Sequence, residues 1–205
     1  MYQKENVKVG ICGVKLYDSA GQVAKSCSRA PSASAYLAQS IGMTKIFPAL
    51  GTERNEWKHC STRIVDQVIG AFFFVRRNLF LSLNGFDERF FVYFEEVDFS
   101  YRASNKGWYS VYLCEAEAFH LGGGTSDRVK AKRSFYSIRS RILYACKHFS
   151  VSSMVILLFV TLCIEPISRS VLALSKGSNI SLKENLRAYW LLYSWLYCRK
   201  FGVRK

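Results

Sequence analysis

The sequence predicts an α/β fold with mixed strands, followed by a run of basic, amphipathic helices. Three observations predict it. Stretches rich in β-formers, such as "VKVGICGVKLY", alternate with helical stretches closed by glycine, such as "FEEVDFSYRASNKG". Half of the 205 residues are hydrophobic and 15% are aromatic, enough for a packed core and too many for a disordered chain. Charge is divided sharply along the chain. Residues 1–127 carry 14 Lys/Arg and 13 Asp/Glu, a net of +1, whereas residues 128–205 carry 15 and 2, a net of +13. The division implies a nearly neutral globular region, 1–127, and a basic helical region, 128–205, that seeks an anionic partner.

The elements follow in order. Residues 7–17 read as a strand, "DSAGQ" at 18–22 as a turn, and "VAKSC" as a returning strand. Residues 32–43 read as a short helix with Ser32 near its N-cap, and 44–63 as a polar, irregular loop. "IVDQVIGAFFFVRR" at 64–77 reads as one buried strand interrupted by Gly70. "RNLFLSLNG" is a short helix ended by Gly85, and 94–107 a helix ended by Gly107. "WYSVYL" and "AEAFHLGGG" are strand-like pieces. Seven scattered cysteines without a C-x-x-C pair predict free thiols rather than a disulfide frame or a zinc site. "MYQKENVKVG" has no apolar core of a signal peptide.

Beyond Gly124 the pattern becomes helical. Residues 128–149 carry cations at seven positions, and 151–164 are uncharged. Fourteen helical residues span only ~21 Å against a hydrocarbon core of ~30 Å. Glu165 and Pro166 interrupt the apolar run, so a helix lying in the membrane interface is expected rather than a spanning one. Residues 184–201 are rich in Trp and Tyr and end in cations, as suits the headgroup level of an acidic leaflet. Ordinary core helices of a basic protein are the other reading. Nucleic acid is not the expected partner: no RNP motif, zinc finger or helix-turn-helix pattern is present, and long apolar runs separate the cations.

The chemistry-bearing stretch is "FFVYFEEVDFSYR". At 100° per residue, Glu95, Asp98 and Arg102 share one stripe, and Asp98 is placed to pair with Arg102 four residues on. Glu95 suits the helix dipole as a first-turn acid. Glu96 has no local cation. A carboxylate at a helix start, beside aromatics and a second carboxylate, meets the needs of a general base, although first-turn acids are common without any such role.

Taken together, "VDQVIGAFFFVRR", "NGFDERFFVYFEEVDFSYR" and "KGWYSVYLCEAEAFHLGGGTS" resemble the second half of the family 2 glycosyltransferases of GT-A fold, with the bacterial rhamnosyltransferase-like members nearest. The resemblance covers roughly residues 7–126. It implies a partial GT-A (Rossmann-like) mixed sheet and an inverting transfer of sugar from a nucleotide-sugar donor to a glycan or polyprenyl-linked acceptor. It assigns Glu96 as the base, with Glu in place of the more usual Asp, and Glu95 as its companion. Gly70, Ala71 and Asp98 fall on the substrate side, and His120 on a divalent metal, Mg or Mn. Arg76 and Arg77 are expected to close the fold, and Asp87 and Glu88 to brace their loop. The implied location is the cytoplasmic face of a bacterial inner membrane, peripheral or in-plane.

The family's donor-binding half, with its D-x-D acidic pair, has no counterpart in these residues. Two readings follow. One is a glycosyltransferase piece that needs a donor half to act; the other is a non-catalytic remnant or membrane-associated accessory module. On the first, the strand at 7–17 is expected to leave an apolar sheet edge uncovered.

Overall fold

A computed structural model describes residues 8–54, 57–121 and 129–200. It is a mixed α/β structure. The central strand β1, Val9–Tyr17, pairs in parallel with the long strand β7, Tyr109–Phe119. The opposite edge of β1 is occupied twice: by β6, Phe74–Val75, at Ile11 and Cys12, and by β2, Val23–Ala24, at Leu16 and Tyr17. On the outer side of β7 lies β4, Arg63–Val65, running antiparallel. A second small sheet joins β3, Cys27–Ser28, to β5, Gln67–Val68.

The uncovered edge expected for β1 is therefore not found. Val9, Ile11, Cys12, Val14 and Leu16 are all buried, and the chain's own strands flank both edges. The single strand expected at 64–77 is also corrected. It is three short pieces, β4, β5 and β6, shared between two sheets, with a turn at 69–73 that places Gly70 outside any strand. The turn at 18–22 forms as expected: the Asp18 carboxylate accepts the N–H groups of Ala20 and Gln22, both at 2.9 Å. "WYSVYL" and "AEAFH" merge into one strand, with a register shift opposite Val14 and Lys15.

Helices pack on this frame. Helix α1, Ala33–Ser40, starts where Ser32 Oγ accepts the Ala35 N–H at 3.2 Å. Helix α2, Arg77–Ser82, lies close over β1 because Gly10 has no Cβ; one there would come within 2.4 Å of Leu79 Cδ2. Helix α3 spans Glu95–Asn105 and is stopped by Gly107 in the left-handed region. Phe99, fully buried, and Ala103 turn one face of α3 into the core with Ile11, Val68, Leu79 and Tyr112. Arg76 closes the fold as expected, its Nε donating to the Val9 carbonyl at 2.6 Å.

The C-terminal helices are α4, Lys130–His148; α5, Val151–Phe159; a π-turn at Val160–Ile164; α6, Glu165–Ser175; and α7, Asn179–Lys200. They share a core with the first region, since Ala33 and Tyr36 of α1 pack with Ile138, Ile142, Leu157 and Leu192. The expected break at Glu165 and Pro166 does not occur. The helix runs on from Val151 to Ser175, 25 residues or ~37 Å, and is long and apolar enough to cross a membrane. Pro166 cannot donate to the Leu162 carbonyl four residues back, so the chain loosens into the π-turn. Tyr193 of α7 donates its hydroxyl to that same carbonyl at 2.7 Å. Glu165 is buried, bound by Arg141 and, at 2.6 Å, by Arg169. None of the seven cysteines forms a disulfide, and the 127/128 boundary lies outside the described residues.

Candidate active site

The approach to α3 is a strained corner. Tyr93 and Phe94 both sit at positive φ, 65° and 71°, immediately before Glu95. Each such non-glycine residue costs ~1–3 kcal/mol and persists only where its surroundings hold it. The hold comes from α4. Ser140 Oγ donates to the Val92 carbonyl at 2.9 Å, and the Phe94 ring packs on Tyr144 with centroids 5.6 Å apart. The corner aims the first turn of α3 so that Glu95 and Glu96 emerge side by side next to the Gly70 turn.

Glu96 is half-buried there. Its carboxylate accepts N–H groups from Gly70, from its own backbone and from Val97, yet one oxygen, Oε2, is buried without a partner. Glu95 Oε2 is likewise buried and unpartnered. Burial, and then the Glu95 charge beside it, push the Glu96 carboxyl above the ordinary glutamate range, against the pull of the three N–H groups. A Cβ placed on Gly70 would stand 4.0 Å from Glu96 Cδ, an ordinary contact distance, so the Gly70 turn lies directly beside the carboxylate. Gly70 and Ala71 are both exposed. The arrangement offers a half-buried carboxylate with raised proton affinity and one oxygen that no protein group pairs, which suits proton abstraction.

Asp98 is placed differently. It has no accessible surface, so it cannot touch a substrate, and its two oxygens are saturated. Arg102 Nε donates to Oδ2 at 2.7 Å, while Lys147 Nζ and His148 Nε2 reach Oδ1, each at 2.6 Å. Burial alone would raise this carboxyl; the bonds from His148, Lys147 and Arg102 outweigh it and hold Asp98 below the usual range. Lys147 also binds Asp87 at 2.7 Å, and Arg89 grips Asp87 through two nitrogens. Those contacts pull Asp87 far down, Arg89 foremost, and brace the "GFDERFF" loop as the sequence predicts.

Sequence reasoning missed Lys147 and His148. The only signal was their place as cations in the last turn of α4, and nothing local tied them to an acid about fifty residues earlier. His120 is exposed at the end of β7, its backbone N–H bonded to the Tyr17 carbonyl at 2.9 Å. Among the described residues no three His, Cys, Asp or Glu side chains gather as a metal ion would need. The divalent metal expected at His120 therefore has no ligand cluster among the described residues. The glycines after His120 lie outside the described residues.

An α/β frame with paired carboxylates on a strained helix start agrees with a glycosyltransferase-like relationship, and similarity to a known protein supports the same class. Over 75 residues the chain is 40% identical to the N-acetylglucosaminyl-diphospho-decaprenol L-rhamnosyltransferase of Mycobacterium tuberculosis, in strains CDC 1551 / Oshkosh and ATCC 25618 / H37Rv alike. The match takes in 37% of this chain and 24% of the relative, so about a quarter of the relative's length is represented. No family model matches the chain.

Proposed function

We propose that this chain is the acceptor-side part of an inverting sugar transferase of GT-A type, in family 2, with Glu96 as its general base. The observation that carries the reading is the Glu96 carboxylate: half-buried beside Glu95 and the Gly70 turn, raised in proton affinity, and unpartnered at one oxygen. In the proposed step Glu96 takes the proton of an acceptor hydroxyl as that oxygen bonds to the anomeric carbon of the sugar. The bond from that carbon to the nucleotide diphosphate breaks on the opposite face, and the diphosphate leaves with the electron pair. Glu95 raises the proton affinity of Glu96 and orients the incoming hydroxyl. Asp98 is a positioning residue that fixes α3 against α4. The relative's name supports a polyprenyl-diphosphate-linked acceptor, and the family resemblance implies a nucleotide-sugar donor.

The C-terminal helices are proposed to hold the protein at the anionic, cytoplasmic face of a bacterial inner membrane. An in-plane position for Val151–Ser175 is supported by its lengthwise packing: Leu157 sits in the core shared with α1 and α4, and Glu165 is ion-paired to Arg141 of α4.

The test is transfer to a polyprenyl-diphosphate-linked acceptor, with a donor-binding half from the mycobacterial relative fused or added. Glu96→Gln is expected to lose ~10²–10⁴-fold in rate while folding normally. Near-normal turnover in that variant would remove Glu96 from the reaction. No turnover by the parent with the donor half present would favour a non-catalytic module.

A further inference from the structure

The segment at 41–50, "IGMTKIFPAL", is not the polar loop that its neighbourhood suggests. It folds into two 3₁₀ turns, Met43–Lys45 and Pro48–Leu50, yet shows its apolar side chains to solvent. Ile46 is 73% exposed and Phe47 57%, and Ile41, Met43 and Leu50 are exposed with them. Five large apolar residues exposed within ten positions are far more than a solvated turn needs.

Three further features say what covers them. The backbone N–H groups of Lys45, Ile46, Phe47, Leu50 and Gly51 all bond to carbonyls within the segment, so the turns carry their own hydrogen bonds into an apolar medium. No acid occurs from 41 to 52, and the one cation, Lys45, has a stem long enough to lift its charge to a headgroup. The segment also borders α6. A cleft of about 650 Å³ has Ile41, Gly42 and Lys45 on one wall and Val171, Leu172 and Ser175 on the other. On α6 the exposed residues Ile167, Val171 and Leu174 form one stripe, which continues the stripe of Val151, Val155 and Phe159 on α5. The acid at the cleft, Glu165, is paired with Arg141 and Arg169.

We infer that residues 41–50 are a membrane-inserting loop, and that Ile46 and Phe47 enter an anionic bilayer beside the Val151–Ser175 helix. The inference rests on the membrane reading proposed above for the C-terminal helices. A second copy of the chain is the less suited occupant, because two copies of a chain of net charge +14 repel each other while an acidic surface attracts it.

The experiment is flotation of the whole chain with vesicles of phosphatidylcholine, alone or mixed with phosphatidylglycerol. The parent is expected to bind the mixed vesicles. Ile46→Ser/Phe47→Ser is expected to partition about tenfold or more weakly at an unchanged melting temperature, since both substitutions take apolar surface out of the bilayer. Equal partition of parent and variant would overturn the loop and leave the helices' membrane reading standing. A parent that floats with neither vesicle would overturn both. A lipid-free dimer by light scattering that the double substitution turns into a monomer would make the patch a contact between copies instead. Phe47→Trp gives a check that leaves the apolar loop intact. Its added fluorescence should be quenched by brominated phosphatidylglycerol; unquenched emission contradicts insertion.

Discussion

Glu96 and Asp98 stand two residues apart on one helical turn, and their surroundings give them opposite characters. Glu96 receives only backbone N–H groups, lies beside another acid and keeps an oxygen free. Asp98 is wholly buried yet bound by a guanidinium, an ammonium and an imidazole. Burial pushes both carboxyls upward; only Asp98 has the partners that reverse it. Burial by itself therefore does not decide whether an acid reacts or braces; the count of cationic partners does.

The contrast can be broken most violently at Asp98. Asp98→Asn leaves Lys147 and His148 facing a neutral amide in a closed site, and breaking such a buried cluster costs ~3–5 kcal/mol. Urea unfolding should show that loss, whereas an exposed Asp98–Arg102 pair would give only ~0.3–0.5 kcal/mol. Acid acts on the same residue. An acid held low when folded contributes stability above its unfolded value, near pH ~4, and loses it as pH falls through the folded value. The parent should weaken steadily below that pH, and Asp98→Asn should show a shallower decline in denaturation curves taken at successive pH values.

A smaller effect is expected where α4 holds the corner. Ser140→Ala removes the bond to the Val92 carbonyl at a cost of ~1 kcal/mol, and the strained Tyr93 and Phe94 should relax. Faster amide exchange at 93–96 than in the parent would show it. The smallest change belongs to Glu96→Gln. Glu96 has a raised value when folded, so its contribution to stability is present at low pH and lost as pH rises through that value. At pH 7 the ionised side chain is a burden that glutamine lifts, so the variant should be as stable as the parent or slightly more. A clear loss of stability would place Glu96 among the bracing residues.

Much of this division was legible in the sequence, for local reasons. The i,i+4 spacing gives Asp98–Arg102, the helical phase leaves Glu96 unpaired, and Gly107 ends the helix. What was not legible depends on distant packing. Lys147 and His148 reach Asp98 across about fifty residues, so the bond looks exposed and weak on paper and is buried in the fold. Residues 64–77 contain too many β-formers to betray that they divide between two sheets around Gly70. Pro166 signals a broken helix, and only the π-turn with the Tyr193 hydroxyl shows how it continues. Of the exposed apolar side chains at 41–50, those of Ile46, Phe47 and Leu50 were hidden by polar neighbours in the predicted loop, and those of Ile41 and Met43 by the predicted helix at 32–43.

The most direct test of the division needs neither donor nor acceptor. It is the titration of the Glu96 and Asp98 side-chain carboxyl carbons by ¹³C NMR in the intact chain. The two should separate in opposite directions: Glu96 above the ordinary glutamate value of ~4.3, and Asp98 below the ordinary aspartate value of ~3.9. In Glu95→Gln the Glu96 midpoint should move back down, because one of the two causes of its rise is gone. A Glu96 that titrates at or below the ordinary value in the parent would contradict its assignment as the base.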